Sequence, residues 1–286
     1  MLSLIKRNLK LYFNSWSNVL LSLVGALISF VLYIIFLKHN ILQSWQDVPD
    51  TKLLLDPWLI GGTLTVTAVT TTLNSIGQMI TDRDNGTIRD FAITPVSFLN
   101  IQLAYLISSF IIGVCMQIVI YFVLDIYFKV TDGLHFSLAT FWKILPIMLV
   151  SSLVWTIINA FIMTFIKNNK SVGTVNSIVG TAAGFFAGVY IPIGLVPKFA
   201  QTLMKLTPAP YDAALYRDVL MKQQLHDSFK RVSDASFKKL MGVNVDWNGI
   251  MTFNHEMLIM FLFAGIVLLF LILKSNKMRK IALRRG

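Results

Sequence analysis

Six long apolar runs divide this chain, and they leave few folds open to it. A bilayer core about 30 Å thick asks for about 20 apolar residues per helix. The runs at residues 18–37, 58–80, 101–124, 144–166 and 172–195 meet that length, and 257–273 is short but almost purely apolar. None shows the polar–apolar alternation that barrel strands need. Charged residues make up only 14% of the chain, against about 25% in soluble domains. The expected fold is an all-α membrane protein with six transmembrane helices, one domain spanning residues 1–286.

The N-terminus resembles a secretory leader only superficially. Lys6, Arg7 and Lys10 precede an uncharged stretch, but that stretch runs from Leu11 to Leu37 with no small-residue cleavage site. It is too long for a signal peptide and suits a retained span. In residues 1–17, Leu2, Ile5, Leu9, Tyr12, Phe13 and Trp16 share one helical face, with Lys6, Arg7, Lys10 and Asn14 mostly opposite. This predicts an amphipathic helix lying in the membrane interface; a plain charged anchor for the first span is the simpler alternative. The single cysteine, Cys115, excludes an intrachain disulfide.

The net charge of +11 need not imply nucleic acid, because Lys and Arg concentrate in the cytoplasmic segments of membrane proteins and meet anionic lipid there. Six spans put both termini on one side. If that side is the cytoplasm, inner segments carry thirteen Lys and Arg, short outer loops four, and the segment from Lys198 to Glu256 eight. Long loops weigh little in orientation, and the C-terminal cluster lies at a span end. Both termini are therefore expected inside. Within residues 196–256, Pro197, Pro208 and Pro210 break an apolar periodicity into pieces too short to span, which predicts re-entrant or surface-lying helices followed by an external loop.

One charged island interrupts the apolar pattern. "TDRDNGTIRDFAITPV", residues 81–96, holds five charges between Asp82 and Asp90. Asn85-Gly86 marks a turn. Thr87 and Asp90 form a capping-box pattern for a helix over 88–93, and Thr94-Pro95 ends it. A short capped helix between two spans suits docking, and a solvated hairpin loop fits equally well.

The order of six spans, this island after the second, and "KLTPAPYDAALYRDVL" before the sixth resembles the type-2 ABC exporter permease family, the membrane subunits of bacterial drug, antibiotic and polysaccharide exporters. The resemblance covers the whole chain. Its most specific pieces are Gly86-Thr87 with Thr94-Pro95, and residues 208–217. Family members often carry Glu where this chain has Asp82 or Asp84. The resemblance implies that the island is a coupling helix seated on a separate ABC ATPase subunit, with Asp82, Arg83, Asp84, Gly86, Thr87, Arg89, Asp90 and Phe91 as the docking set. It implies a multi-pass protein of the bacterial plasma membrane paired with a second permease copy, identical or related.

This chain carries no G-x-x-x-x-G-K-[ST] segment, so no phosphate-cradling loop. ATP and Mg are therefore expected on the partner ATPase, with no cofactor here and no catalytic role. His39, His135, His226 and His255 are scattered, with no metal-ligand spacing.

Candidate pathway residues lie on two spans. Thr63, Thr67, Thr70, Asn74 and Gln78 share one face of the second, with Thr71 at its edge; such residues line wet cavities or bond to neighbouring helices. Gly180, Gly184 and Gly188 repeat G-x-x-x-G in the fifth, around Phe185 and Phe186, a spacing that allows close helix approach. The resemblance places both spans along the route between two permease copies. Almost no formal charge falls within the predicted spans, which argues against an ion-coupled carrier. The expected function is ATP-driven export of an amphiphilic compound: a drug, peptide antibiotic or lipid-like molecule. The alternatives are a lipid-linked polysaccharide exporter permease, a self-contained secondary transporter or channel, and a membrane anchor.

Overall fold

The computed structural model describes residues 1–44, 51–92, 95–230, 233–247 and 249–283. Ile93, Thr94, Arg231, Arg284 and Arg285 lie outside these. The described chain is helical, apart from one isolated bridge between Asp246 and Ile250.

The chain opens with α1 (Leu2–Phe13) and α2 (Trp16–Leu32), whose N-terminus is capped by Ser15 accepting the Asn18 N–H at 3.3 Å. A π-helical turn over Tyr33–Leu37 carries α2 into α3 (Lys38–Ser44). Then come α4 (Thr51–Asp84), α5 (Thr87–Ala92), α6 (Phe98–Asp132), α7 (Leu138–Met163) and α8 (Asn169–Phe186). After a 3₁₀ turn at Ile193–Leu195 follow α9 (Lys198–Lys205), α10 (Ala209–Leu220), α11 (Lys222–Ser228), α12 (Ala235–Met241) and α13 (Phe253–Leu283).

Among the described residues, five segments are long and apolar enough to cross a membrane: Trp16–Leu37, Thr51–Asp84, Phe98–Asp132, Leu138–Met163 and Phe253–Leu273. The remaining expected span ends earlier than its apolar run. At 18 residues, α8 reaches about 27 Å at 1.5 Å per residue. It stops because the Gly184 carbonyl accepts the N–H groups of Val189 and Tyr190, turning the chain back on itself. In the other direction, α4 starts well before residue 58 and takes Pro57 into its first turns.

The bundle is organised around α4, which packs against α2, α6, α7, α8 and α10. Its most apolar window is 94% buried, against 17% for that of α13. Small Gly and Thr side chains let so many neighbours close on one helix. Several of its threonine hydroxyls bond to their own helix: Thr67 donates to Thr63 O at 2.8 Å, Thr71 to Thr67 O at 2.6 Å and Thr72 to Ala68 O at 2.6 Å.

The proline-broken segment divides into two behaviours. α9 lies at the surface, with Phe199, Leu203 and Leu206 exposed. α10 is enclosed by the bundle: residues 208–217 are all buried, and α10 packs on α4, α7 and α13. Asp212 reaches Ser151 and Trp155, halfway along α7. The N-terminal helix rests one face on the bundle. Ile5, Asn8 and Tyr12 form the covered face of α1, against α6 and α2, while Leu2, Phe13 and Trp16 are exposed. Arg7, expected on the solvent side, turns inward.

Candidate docking hairpin and transport groove

The island forms a tight hairpin at one end of the bundle. Gly86 has φ +81° and follows the last turn of α4. Helix α5 begins at Thr87 itself, and the Arg89 N–H bonds to Gly86 O at 2.8 Å. Gly86, not Thr87, therefore occupies the cap position, which corrects the capping-box expectation. Arg89 and Asp90 are exposed on α5. Arg83 and Asp84 are exposed but fasten the hairpin sideways: Arg83 donates to Ile166 O at 2.7 Å and Lys167 O at 3.0 Å, and Asp84 accepts the Asn169 N–H at 3.1 Å.

Asp82 and Phe91, both expected to dock, face the protein's own interior. Asp82 is 3% exposed. Its carboxylate receives two bonds from Arg7, at 2.6 and 3.0 Å, one from Gln78 at 2.8 Å and one from the Tyr105 hydroxyl. Hydrogen bonding to Asp82 raises the Arg7 guanidinium pKa, so Arg7 stays protonated at any physiological pH. Phe91 is half-buried in a cluster that includes Ile80, Ile101 and Tyr105, with the Arg7 guanidinium over its ring at 5.3 Å. Asp82 and Phe91 thus anchor α1, α4, α5 and α6 to one another. The outward charges are left to Arg83, Asp84, Arg89 and Asp90.

A groove of about 750 Å³ runs between α2, α4 and α8. Of the ten expected pathway residues it brings together four, Thr70, Asn74, Gly180 and Phe185. Gln78 and Asn74 line a smaller adjoining cavity. Thr63 and Thr67 are 1% and 0% exposed in the bundle centre and line neither, so they are corrected to packing residues. The three glycines do three different jobs. Gly180 faces Gly25 of α2, whose added Cβ would meet Gly180 O at 3.3 Å. Gly184 seats Tyr190, whose ring would lie 2.2 Å from an added Cβ. Gly188 sits in the turn after α8. Phe186 packs on the core, whereas Phe185 stands edge-on to Tyr190, centroids 4.9 Å apart.

Several buried polar residues carry no sequence signal of their own. Arg217 is 2% exposed and held by backbone carbonyls: Nε donates to Trp58 O at 3.2 Å, and the two terminal nitrogens donate to Gly242 O and Ala187 O, each at 3.0 Å. Its guanidinium lies 4.7 Å from the Trp58 ring centre. Asp212 accepts from Ser151 at 2.7 Å and Trp155 at 2.9 Å, and Tyr216 donates to Gln117, which bonds Ser152 at 2.6 Å. At the opposite end from the island, Lys38 bridges Asp56 at 2.9 Å and Asp132 at 2.6 Å. Asp56, Asp82, Asp212 and Glu256 are buried carboxylates, although none falls within a predicted span. Only the "PAPYDAALYR" segment, matched as a block, pointed towards Asp212 and Arg217.

With this geometry in place, comparison with known proteins adds a family. The family model described as ABC-2 type transporter matches residues 1–221, well over half of the chain. Among curated proteins nothing matches.

Proposed function

The chain belongs to the ABC-2 type transporter family, and from that premise we propose that it is the permease of a bacterial ATP-driven exporter. It is a multi-pass membrane subunit of an ABC transporter. In our reading it works with a separate ATPase that binds ATP and Mg, beside a second permease copy, and moves an amphiphilic compound outward: a drug, peptide antibiotic or lipid-like molecule.

One observation carries the reading. The Arg7–Asp82 node, with Tyr105 and Gln78, lies at the base of the exposed hairpin and ties it to α1, α4 and α6. Force applied to α5 would enter α4, which forms one wall of the groove. The exposed charges Arg83, Asp84, Arg89 and Asp90 are the surface we assign to the ATPase. Orientation with both termini cytoplasmic is supported by the charge asymmetry. It is strengthened because Arg217, counted on the outer side, is buried.

The test is co-purification with the ATPase. Reversing Arg89→Glu and Asp90→Lys should abolish association, since misplaced charge at a desolvated contact costs several kcal/mol; membrane insertion should be unchanged. Full retention of the ATPase together with normal transport would reduce the hairpin to a solvated loop. Cysteines at Asn85 and Ser233 in a Cys115→Ser background check orientation. An impermeant reagent on intact cells should label Ser233→Cys and spare Asn85→Cys.

A further inference from the structure

The two cavities beside α4 adjoin, and their linings divide by chemistry. The smaller, about 390 Å³ at the α1 end, is lined by six amide side chains, Asn8, Asn18, Asn74, Gln78, Asn169 and Asn176, and by no charged side chain. The larger groove, about 750 Å³, is walled mainly by apolar side chains such as Val24, Ile28, Leu32 and Phe185. Leu21, Asn74, Gly173 and Asn176 line both.

Within the amide chamber one donor and one acceptor are buried without a partner among the described residues, and the bonding logic fixes which they are. The Asn18 carbonyl can only accept, so Asn74 presents its Nδ2 there, at 3.2 Å. Asn74 Oδ1 then faces Asn176, which must donate through Nδ2, at 3.3 Å. That leaves Asn176 Oδ1 buried without a partner among the described residues. Arg7 can only donate, so Asn8 offers it Oδ1, at 3.1 Å, and Asn8 Nδ2 is buried and equally unpartnered. Asn8 is 6% exposed. Buried polar atoms are nearly always bonded, so an orphan donor and an orphan acceptor lining one cavity point to something that completes them.

We infer that chamber and groove form one binding site for an amphiphile with an uncharged, hydrogen-bonding head and an apolar tail. The head, rich in hydroxyl or amide groups, lies among the asparagines, accepting from Asn8 Nδ2 and donating to Asn176 Oδ1. The tail lies along α2 and α8. An ionic head is disfavoured because it would shed its water where no counter-charge lines the wall. The nearest ion pair, Arg7 with Asp82, is already closed on itself. Calling this ligand the transported cargo rests on the exporter reading; the site itself rests on its lining.

The full chain in lipid nanodiscs tests this with three radiolabelled probes that share a dodecyl tail: dodecyl β-D-glucoside, dodecyltrimethylammonium and dodecyl phosphate. Empty nanodiscs provide the background. The glucoside should bind saturably, at least tenfold tighter than either ionic probe. Asn8→Ala and Asn176→Ala should each weaken the glucoside by roughly five- to tenfold, the worth of one hydrogen bond, and leave the ionic probes unchanged. Gly180→Leu should weaken all three, because an added Cβ there meets only Thr70 Cγ2, at 3.7 Å, and the rest of the side chain fills the groove. Unaltered melting curves for the variants establish that they fold. Equal binding of the three probes, or undiminished glucoside binding by both asparagine variants, overturns the proposal and leaves a water-filled cleft. Selective binding by a chain that engages no ATPase would sink the exporter reading and keep the site. ATP-driven transport without selective binding would do the reverse.

Discussion

Arg7 at one end of the bundle and Arg217 at the other are both drawn into the protein, but by different partners. Arg7 meets a carboxylate, Asp82, and keeps 30% of its side chain exposed. Arg217 meets carbonyls from three separate segments and the face of Trp58, and is 2% exposed. A partly exposed charge pair stays in contact with solvent. A cage of carbonyls sealed from solvent has no such contact, and releasing its cation leaves the Gly242 and Ala187 carbonyls without a donor. The α5 end therefore keeps its ion pair in contact with solvent, whereas the α10–α12 end is sealed.

The comparison breaks most visibly at Arg217. Arg217→Ala leaves the buried Gly242 and Ala187 carbonyls without a donor, at about 1–3 kcal/mol each, and opens a cavity against the Trp58 ring, so a loss of more than ~3 kcal/mol is expected in thermal unfolding of the purified chain. Arg217→Lys should rescue little, since an ammonium cannot fork to three carbonyls or stack on Trp58. Rescue by lysine would mean that charge alone matters there. Arg7→Ala should cost less, about 2 kcal/mol. A buried carboxylate loses its partner, but the pair is partly solvated and Tyr105 and Gln78 remain. In a double-mutant cycle with Asp82→Asn the coupling should be about 1–2 kcal/mol, and near-additive losses would refute the pairing.

Two left-handed glycines extend the contrast. Gly242, φ +62°, carries the carbonyl that holds Arg217, and an added Cβ would lie 2.6 Å from Ile193 Cγ2. Gly86, φ +81°, has open space around it. Gly242→Ala should cost about 2 kcal/mol, adding steric conflict to backbone strain, and Gly86→Ala about 1 kcal/mol from the backbone alone. Equal losses would remove the distinction between a sealed end and a solvent-contacting one. The smallest effect belongs to the surface pair of Lys239 and Asp246, 2.7 Å apart. Lys239→Met should cost under about 0.5 kcal/mol. Hydrogen bonding from Lys239, then from the Gly249 N–H, holds the Asp246 carboxyl below its ordinary range. Its small contribution is present above the unfolded pKa, about 3.9, and fades as pH falls through the lowered folded value. Unfolding measured between pH 6 and pH 3 should show a smaller fade in Lys239→Met than in the wild type, because the Gly249 N–H still holds the carboxylate.

Part of the site was legible before any tertiary contact was known. Asn85-Gly86 announced the turn, and Arg89 and Asp90 stand on an exposed helix as expected. Asp82 shares that local pattern, but nothing within residues 81–96 shows that Arg7, 75 positions away, reaches back to it. The pathway face of α4 failed for a similar reason. Thr63 and Thr67 share a helical face with Thr70 and Asn74, yet neighbouring helices seal the first pair and leave the second on the groove.

By itself the sequence determined that the chain is helical, that several of its helices are long and apolar enough to cross a membrane, and where its charged hairpin falls. A bilayer offers the backbone no partners, so an apolar run of sufficient length must bond within itself as a helix. Tertiary structure alone decided which polar side chains are structural and which are available. It closed Asp82 on Arg7, sank α10 with Asp212 and Arg217 into the bundle, ended α8 at the Gly184 carbonyl, and left Asn8 and Asn176 facing one cavity. Burial is a property of the neighbours a residue acquires, and here those neighbours come from helices far away in the chain.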